Sequence, residues 1–372
     1  MTQSNILFVG LDVHKESIEI ALAEDGIGGE VRRFGSIAGT RDAFKKALRK
    51  LVAKGHSLHF CYEAGPTGYE LYRYIISKGH VCTVVAPSLI PKKAGDKVKT
   101  DQRDAISLAR LYRAGELTAV YVPNPEDEAV RDLTRARLDA VEMRTRAKQR
   151  LKSFLLRHDI RCPHSENWSE AHLRWLAEVK LPHAASQVTY QEYLNTMTEA
   201  AHREQRLMGE IEKYVKDWRL YPAVKALMAL RGVRMVAASG IIAELGDLTR
   251  FEHPKQLMSF LGLTPSEHSS GERTKRGAIT KTGNIYARKI LVESAWSYRF
   301  NPKVSKEMQK RQEDIPLHIR DIAWKAQLRL THRYKHLSKT KSSKNIVVVA
   351  LARELAAFIW SIFRELDIKP EA

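Results

Sequence analysis

The order in which extended and helical patterning alternate over the first 120 residues leaves few folds open to this chain. "ILFVGLDV" (6–13) and "SIEIALA" (17–23) read as two short strands around the polar turn HKES, and "EVRRFGSI" (30–37) as a third. "TRDAFKKALRKLVAKG" (40–55) has helical periodicity, with Thr40 placed to cap its start and Gly55 lying past its end. "LHFCYEA" (58–64) is a strand, "GYELYRYIISKG" (68–79) a helix, "VCTVVAP" (81–87) a strand and "TDQRDAISLARLYRAG" (100–115) a helix.

Three strands followed by helix–strand–helix–strand–helix is the order of an RNase-H-like α/β domain, assigned to residues 1–123, with "YVPNPED" (121–127) as its exit linker. From 124 to 220 the pattern is almost wholly helical. "EDEAVRDLTRARLDAVEMRTRAKQRLKSFLLRH" runs without Gly or Pro, and "QEYLNTMTEAAHREQRLMGEIEKYVKDW" is a second long helix. The pair predicts an antiparallel arm or coiled coil that serves oligomerisation and nucleic-acid contact. Residues 221–372 form a mainly α-helical C-terminal domain, with loops expected at 263–284 and 335–345.

Charge narrows the class of partner. The chain has 62 Lys and Arg against 43 Asp and Glu, a net +19. Residues 1–120 hold 18 basic and 13 acidic side chains, residues 121–220 hold 17 and 16, and residues 221–372 hold 27 and 14. An excess concentrated in one part points to a polyanion, with a solubilising surface as the plainer reading. Cys61, Cys82 and Cys162 have no CxxC spacing, which speaks against a disulfide framework or thiolate zinc site and fits a reducing cytoplasm. No apolar run is expected to reach the length of a membrane span, and the N-terminus lacks a signal-peptide layout.

Against that basic background, Asp12 stands inside an apolar strand. Glu63 closes a second strand before a Gly-Pro turn, and Asp101 and Asp104 share one face at the start of a helix. Each has an ordinary reading: Asp101 as a helix cap, Glu63 as a loop acid. Together, four carboxylates repel one another unless a cation sits among them, and oxygen donors select a hard ion such as Mg²⁺. Two such ions about 4 Å apart clamp the attacking and leaving oxygens in phosphoryl transfer. His14 could approach Asp12, but a satisfied turn histidine is the preferred reading. Tyr62, Tyr69, Tyr72 and Tyr74 are read as packing residues. "SEHSSGERTKRG" (266–277) reads by itself as a flexible basic loop in which Ser269, Ser270 and Gly271 are turn formers. A serine there would need activation to attack phosphorus, and Arg273, Lys275, Arg276 and Lys281 could hold a phosphate.

"GLDVHKESIEIAL", "CYEAGPTGYELYRYI" and "KTDQRDAISLARL", with "LMALRGVRMVAASGIIAELGDLTRFEHPKQLMSFLGLTPSEHSSG" and "GAITKTGNIYARKILVESAW", resemble the insertion-sequence-110 family of DEDD transposases. The resemblance implies a RuvC-like catalytic domain like that of Holliday-junction resolvases, with Asp12, Glu63, Asp101 and Asp104 holding Mg²⁺, in two ions. It also implies a nucleophilic serine just before a glycine. That serine matches Ser270, with Ser269 one residue away, and would form a 5′-phosphoserine link to DNA. Donor and target double-stranded DNA, a non-coding bridge RNA and a dimer to tetramer follow from the same resemblance. Further nucleic-acid contacts are expected from Arg144, Arg146, Lys148, Arg150 and Lys152 in the basic run 144–161, and from Arg234 in a helix-hairpin-helix-like segment whose Gly-x-Gly turn is broken. Arg288 and Lys289, then Lys335, Lys339, Lys341 and Lys344, complete the set. The alternatives are a metal-dependent junction nuclease that uses the acids alone, a protein-guided DNA invertase, and a nucleic-acid-binding protein without activity.

Overall fold

A computed structural model describes residues 5–26, 28–91, 100–164, 167–270, 273–341 and 343–367. It divides into two compact units, 1–122 and 123–372. The first holds β1 (Ile6–Val13), β2 (Ser17–Glu24), β3 (Val31–Ala38), α1 (Arg41–Val52), β4 (Ser57–Glu63), α2 (Glu70–Ser77), β5 (Val81–Val85) and α3 (Asp101–Arg113). This is the predicted element order. The Thr40 hydroxyl accepts the Ala43 N–H at 3.3 Å and starts α1, and Gly55 follows α1 with φ +78°.

The five strands form one mixed sheet in the order β3-β2-β1-β4-β5. β1 runs antiparallel to β2 and parallel to β4. The alternation of β1 assigns its faces. Leu7, Val9 and Leu11 join Phe44, Leu48 and Leu51 of α1 and Ile75 of α2 in a core of large side chains. Phe8, Gly10 and Asp12 face the other way, toward α3. That layer is thin: Ala21 and Ala23 meet Ala105 and Ala109. A Cβ on Gly10 would lie 2.4 Å from the Ala105 carbonyl oxygen and 2.5 Å from the Ala109 nitrogen. Glycine at position 10 thus lets the helix backbone rest directly on the strand.

The second unit begins with a helical arm. α4 (Pro125–Arg157) and α6 (Ala184–Tyr214) run antiparallel, with the short α5 (Glu170–Glu178) between them in sequence. Toward the far end, Leu151, Phe154 and Leu155 pack with Leu176, Tyr190 and Met197. Midway, the buried Glu204 accepts from Arg137 at 2.8 Å and pairs with Arg144 at 2.9 Å. The rest comprises α7 (Tyr221–Leu227), α8 (Met235–Leu245), α9 (Pro254–Phe260), β6 (Pro265–Ser270), β7 (Arg273–Ile279), α10 (Ile285–Ala295), α11 (Lys306–Gln312), α12 (Leu317–Thr340) and α13 (Lys344–Arg364). Val130, Ile211 and Val215 at the arm's root share one core with Leu227, Ile242, Leu291 and Leu355, so packing is continuous across residue 220.

Three expectations change. The loop predicted over 263–284 contains the antiparallel hairpin β6–β7. The loop predicted over 335–345 is helical as far as Thr340 and helical again from Lys344. Among the described residues one helix, α13, is long and apolar enough to cross a membrane, against the expectation that no apolar run reaches that length. Its Val347, Val348, Leu351, Leu355, Ile359 and Ile362 lie in the core of the second unit, which accounts for its apolar character.

Candidate metal centre

β1 ends and α3 begins at the same place. The Thr100 hydroxyl accepts the Arg103 N–H at 3.4 Å, so Thr100 caps α3 and Asp101 is released from the capping role its position suggested. With α3 seated on Gly10, its first turn overhangs the C-terminal end of β1. The carboxylates of Asp12 and Asp101 and the imidazole of His14 then lie within 4.8 Å of one another. His14 Nε2 is 3.1 Å from Asp12 Oδ2 and 3.7 Å from Asp101 Oδ1.

Asp12 is the inner member, its side chain 14% exposed against 63% for Asp101. Burial pushes its carboxyl above the usual 3.8, the pairing with His14 pulls it down, and the charges of Asp101 and Asp104 push it up again. Asp104 thus acts on Asp12 electrostatically while standing outside the 4.8 Å group. Glu63 also stands outside that group, exposed at the end of β4. The register Leu11↔Tyr62 nonetheless sets it beside Asp12 on the α3 side of the sheet.

Another acid shares the neighbourhood. Glu19 is paired with Asp12 across β1 and β2 and is 6% exposed. Arg33 grips both of its oxygens, at 2.5 and 3.2 Å, which explains why a second buried carboxylate is tolerated there. No such guanidinium is recorded for Asp12 among the described residues; its recorded partner is a histidine. Sequence reading missed Glu19 and set His14 aside. The strand pairing of "SIEIALA" with "ILFVGLDV" was a signal for Glu19, since antiparallel neighbours share a face.

The donors fit a divalent cation. They are hard oxygens converging from a strand and a helix, on a carboxylate that is buried and crowded by like charge. The group placed to hold one is Asp12, Asp101 and His14, with Asp104 acting on Asp12 through its charge and Glu63 beside Asp12 at the same end of the sheet.

Ser270 is the last residue of β6 and pairs with Arg273 across the turn. Residues 271–272 lie outside the described residues, as do the side chains of Ser270, Arg273 and Lys275. Arg276 pairs with Glu267 at 3.4 Å, and Lys281 is exposed in the loop after β7. The Arg288 guanidinium donates through Nη1 to the carbonyls of Leu261 and Thr282, at 2.8 and 2.9 Å.

The structure gathers three other predicted cations, Arg146, Arg234 and Lys289, around one cleft between α4, α8 and α10. Glu142 partly offsets them, at 2.7 Å from Lys289 and 3.9 Å from Arg146, and Glu307 pairs with Arg234 at 3.0 Å. Arg144 is turned to Glu204 and Lys148 lies over the Trp168 ring at 4.5 Å. Arg150 and Lys152 are exposed on the arm, and Lys335, Lys339, Lys341 and Lys344 on α12, α13 and their junction.

Two family models match this chain: a DEDD-type IS110 transposase model over residues 9–159, and the model described as "Transposase IS116/IS110/IS902 family" over residues 224–309. A Sinorhizobium fredii protein named "Putative transposase y4qE" is 49% identical over 96% of this chain and 88% of its own length. The transposase for insertion sequence element IS1533 of Leptospira borgpetersenii is 33% identical over 89% and 96%. A pilin gene-inverting protein of Moraxella bovis is 24% identical over 83% and 81%. With its acidic centre inside the first matched segment and its serine hairpin inside the second, the chain belongs to the IS110/IS116 family of insertion-sequence transposases.

Proposed function

We propose that this transposase cuts and rejoins DNA through a covalent serine intermediate, in a composite centre that joins the acidic site to Ser270. The convergence of Asp12, Asp101 and His14 at the end of β1 carries the reading. It supports a catalytic RuvC-like domain, as does the strand order β3-β2-β1-β4-β5, with β1 antiparallel to β2 and parallel to β4.

In this mechanism Ser270 Oγ attacks a DNA phosphorus. The Oγ–P bond forms as the P–O3′ bond breaks, and the proton given up by serine ends on the freed 3′-oxygen. The products are a 5′-phosphoserine link and a 3′-hydroxyl, and attack by another 3′-hydroxyl reverses the step with a new partner strand. Asp12, Glu63, Asp101 and Asp104 would hold Mg²⁺, as two ions, which when bound supplies Lewis-acid stabilisation of phosphate oxygens. Arg273, Lys275, Arg276 and Lys281 would steady the scissile phosphate.

Arg146, Arg234 and Lys289 would follow the nucleic-acid backbone, supported by their placement around one cleft. Sequence choice would come from a non-coding bridge RNA pairing with donor and target DNA, with the protein reading backbone and shape. Protomers in a dimer or tetramer, acting in the cytoplasm, would supply the acids and the serine to each other.

The test is a covalent-adduct assay. The protein, expressed with its flanking non-coding DNA, is incubated with labelled element-junction DNA and Mg²⁺ and resolved on a denaturing gel. A slow protein–DNA band lost in both Ser270→Ala and Asp104→Asn is expected. Cleavage that survives Ser270→Ala with no adduct would replace this reading by a resolvase-like nuclease. The resemblance to a pilin gene-inverting protein favours one further reading, a site-specific invertase. Full strand exchange by RNA-free protein would establish it over the guided transposase.

A further inference from the structure

The hairpin whose first strand ends at Ser270 stands on a root made of main chain. The Lys281 N–H donates to the Gly262 carbonyl at 3.1 Å, and the Thr280 N–H to the Thr264 carbonyl at 2.9 Å. A Cβ on Gly283 would come 1.9 Å from the Phe260 carbonyl oxygen, and one on Gly262 would come 2.2 Å from that of Thr282. Arg288 ties the two chains of the root together through Leu261 and Thr282.

The next residue after the root is Asn284, and it faces two ways. Its Oδ1 accepts the Ala287 N–H at 2.9 Å and caps α10, while its Nδ2 donates to Glu244 Oε2 at 2.7 Å. Glu244 lies on α8 with its side chain 1% exposed. Arg135 on the arm helix α4 grips it with Nε at 2.6 Å and Nη2 at 2.9 Å. The guanidinium also stacks 4.6 Å from the Tyr286 ring centre.

A buried ion pair is often no more stable than apolar residues of the same size, and in some proteins what it supplies instead is a fixed geometry. This one links the arm, the hairpin root and the cap of α10 in one network. We propose that Glu244, held by Arg135, is a positioning residue for Ser270, acting through Asn284 on the pitch of the hairpin. The inference rests on Ser270 being the nucleophile. Pro265 to Ser270 is five strand steps, about 17 Å, so a rotation of roughly 3–4° at the root moves the serine by about 1 Å. A displacement of that size is enough to slow a positioned reaction by about 10²-fold. The same linkage makes the orientation of α4 felt at the serine.

Asn284→Ser separates the two jobs of Asn284. Serine still caps α10 but lacks the amide nitrogen that reaches Glu244. The full chain, copurified with RNA from its flanking non-coding DNA, is given saturating element-junction DNA. Single-turnover adduct formation is read beside DNA affinity and melting temperature. The expected result is adduct formation slowed by at least 10-fold, with DNA affinity changed less than 2-fold and melting lowered by no more than a few degrees. Arg135→Lys, which keeps the charge but gives up the two-pronged grip, should slow the adduct the same way and serves if Asn284→Ser melts early. Wild-type adduct rates in both variants, or losses that only track DNA affinity or melting, would overturn the proposal. Ser270→Ala in parallel keeps the two ideas apart. If it still forms adduct, the nucleophile assignment fails; if it forms none while the other variants react normally, only the positioning role fails.

Discussion

Gly10→Ala tests how the acidic centre is assembled. The added methyl would sit 2.4 Å from the Ala105 carbonyl oxygen and 2.5 Å from the Ala109 nitrogen, both main-chain atoms of α3. A Cβ contact becomes ordinary at 3.4 Å, so strand and helix must part by about 1 Å. Overpacking of this kind costs roughly 1–3 kcal/mol of stability. The functional cost should be larger, because α3 carries Asp101 and Asp104 and a shift of about 1 Å in a positioned group costs about 10²-fold in rate. Mn²⁺ titration followed by electron paramagnetic resonance, thermal melting and the adduct assay read the three consequences separately. We expect a melting temperature lower by several degrees, much weaker metal binding and adduct formation down by about 10²-fold. Ala109→Gly should not rescue the variant, because the clash is with backbone rather than with the Ala109 methyl. Unchanged metal affinity and adduct rate in Gly10→Ala would refute the idea that close seating of α3 builds the site.

Three other outcomes follow from the same geometry. Asp12→Asn should abolish activity yet raise the melting temperature of the metal-free protein at neutral pH, the usual exchange at a functional site. The sign comes from the raised carboxyl of Asp12. Its contribution to folding is present below 3.8 and lost as pH rises through the higher folded value, so the variant's advantage in melting should vanish in acid and be offset by added Mg²⁺. Glu63→Gln should weaken Mn²⁺ binding less than Asp101→Asn, since only Asp101 lies in the 4.8 Å group with Asp12; equal losses in titration would place Glu63 in the first metal's shell. Asp127→Ala should destabilise the second unit by about 3–5 kcal/mol in urea unfolding. It takes away an ion-pair partner of Arg219 and the acceptor of the Trp218 Nε1–H, which donates to the 1%-exposed Asp127 at 2.7 Å.

What was legible in the sequence depended on how each segment meets its surroundings. The α/β unit could be read because its strands bury one or both faces and its helices start and stop on marked residues such as Thr40 and Gly55. The hairpin Pro265–Ile279 was hidden because its residues are mostly Ser, Thr, Lys, Arg and Gly, so no apolar alternation announces two strands. The Lys and Ser content at the end of α12 has the look of a loop, although residues 317–345 contain neither Gly nor Pro, the better signal for helix there. The bonds of Arg288 to the carbonyls of Leu261 and Thr282 are invisible in the sequence, because charge alone does not say which main-chain groups a guanidinium meets. His14 was set aside because its partner, Asp101, is distant in sequence and reaches it only through the seating of α3.

That seating had a trace in the sequence. Gly10 on the strand lies two before Asp12, and on the helix the small Ala105 lies one after Asp104 and four after Asp101, with Ala109 a turn further on. The opposite face of the same sheet carries Leu, Ile and Phe and holds α1 at the distance of full side chains. Had both faces been built that way, the first turn of α3 would stand off from β1 and its carboxylates could not approach Asp12. The thin layer costs hydrophobic burial on the α3 side and, in exchange, brings acids from two elements to one point. A carboxylate at a strand end, two residues after a glycine, paired with a helix that opens on acids and continues on alanines, is therefore a stronger mark of a metal centre than any of those acids taken singly.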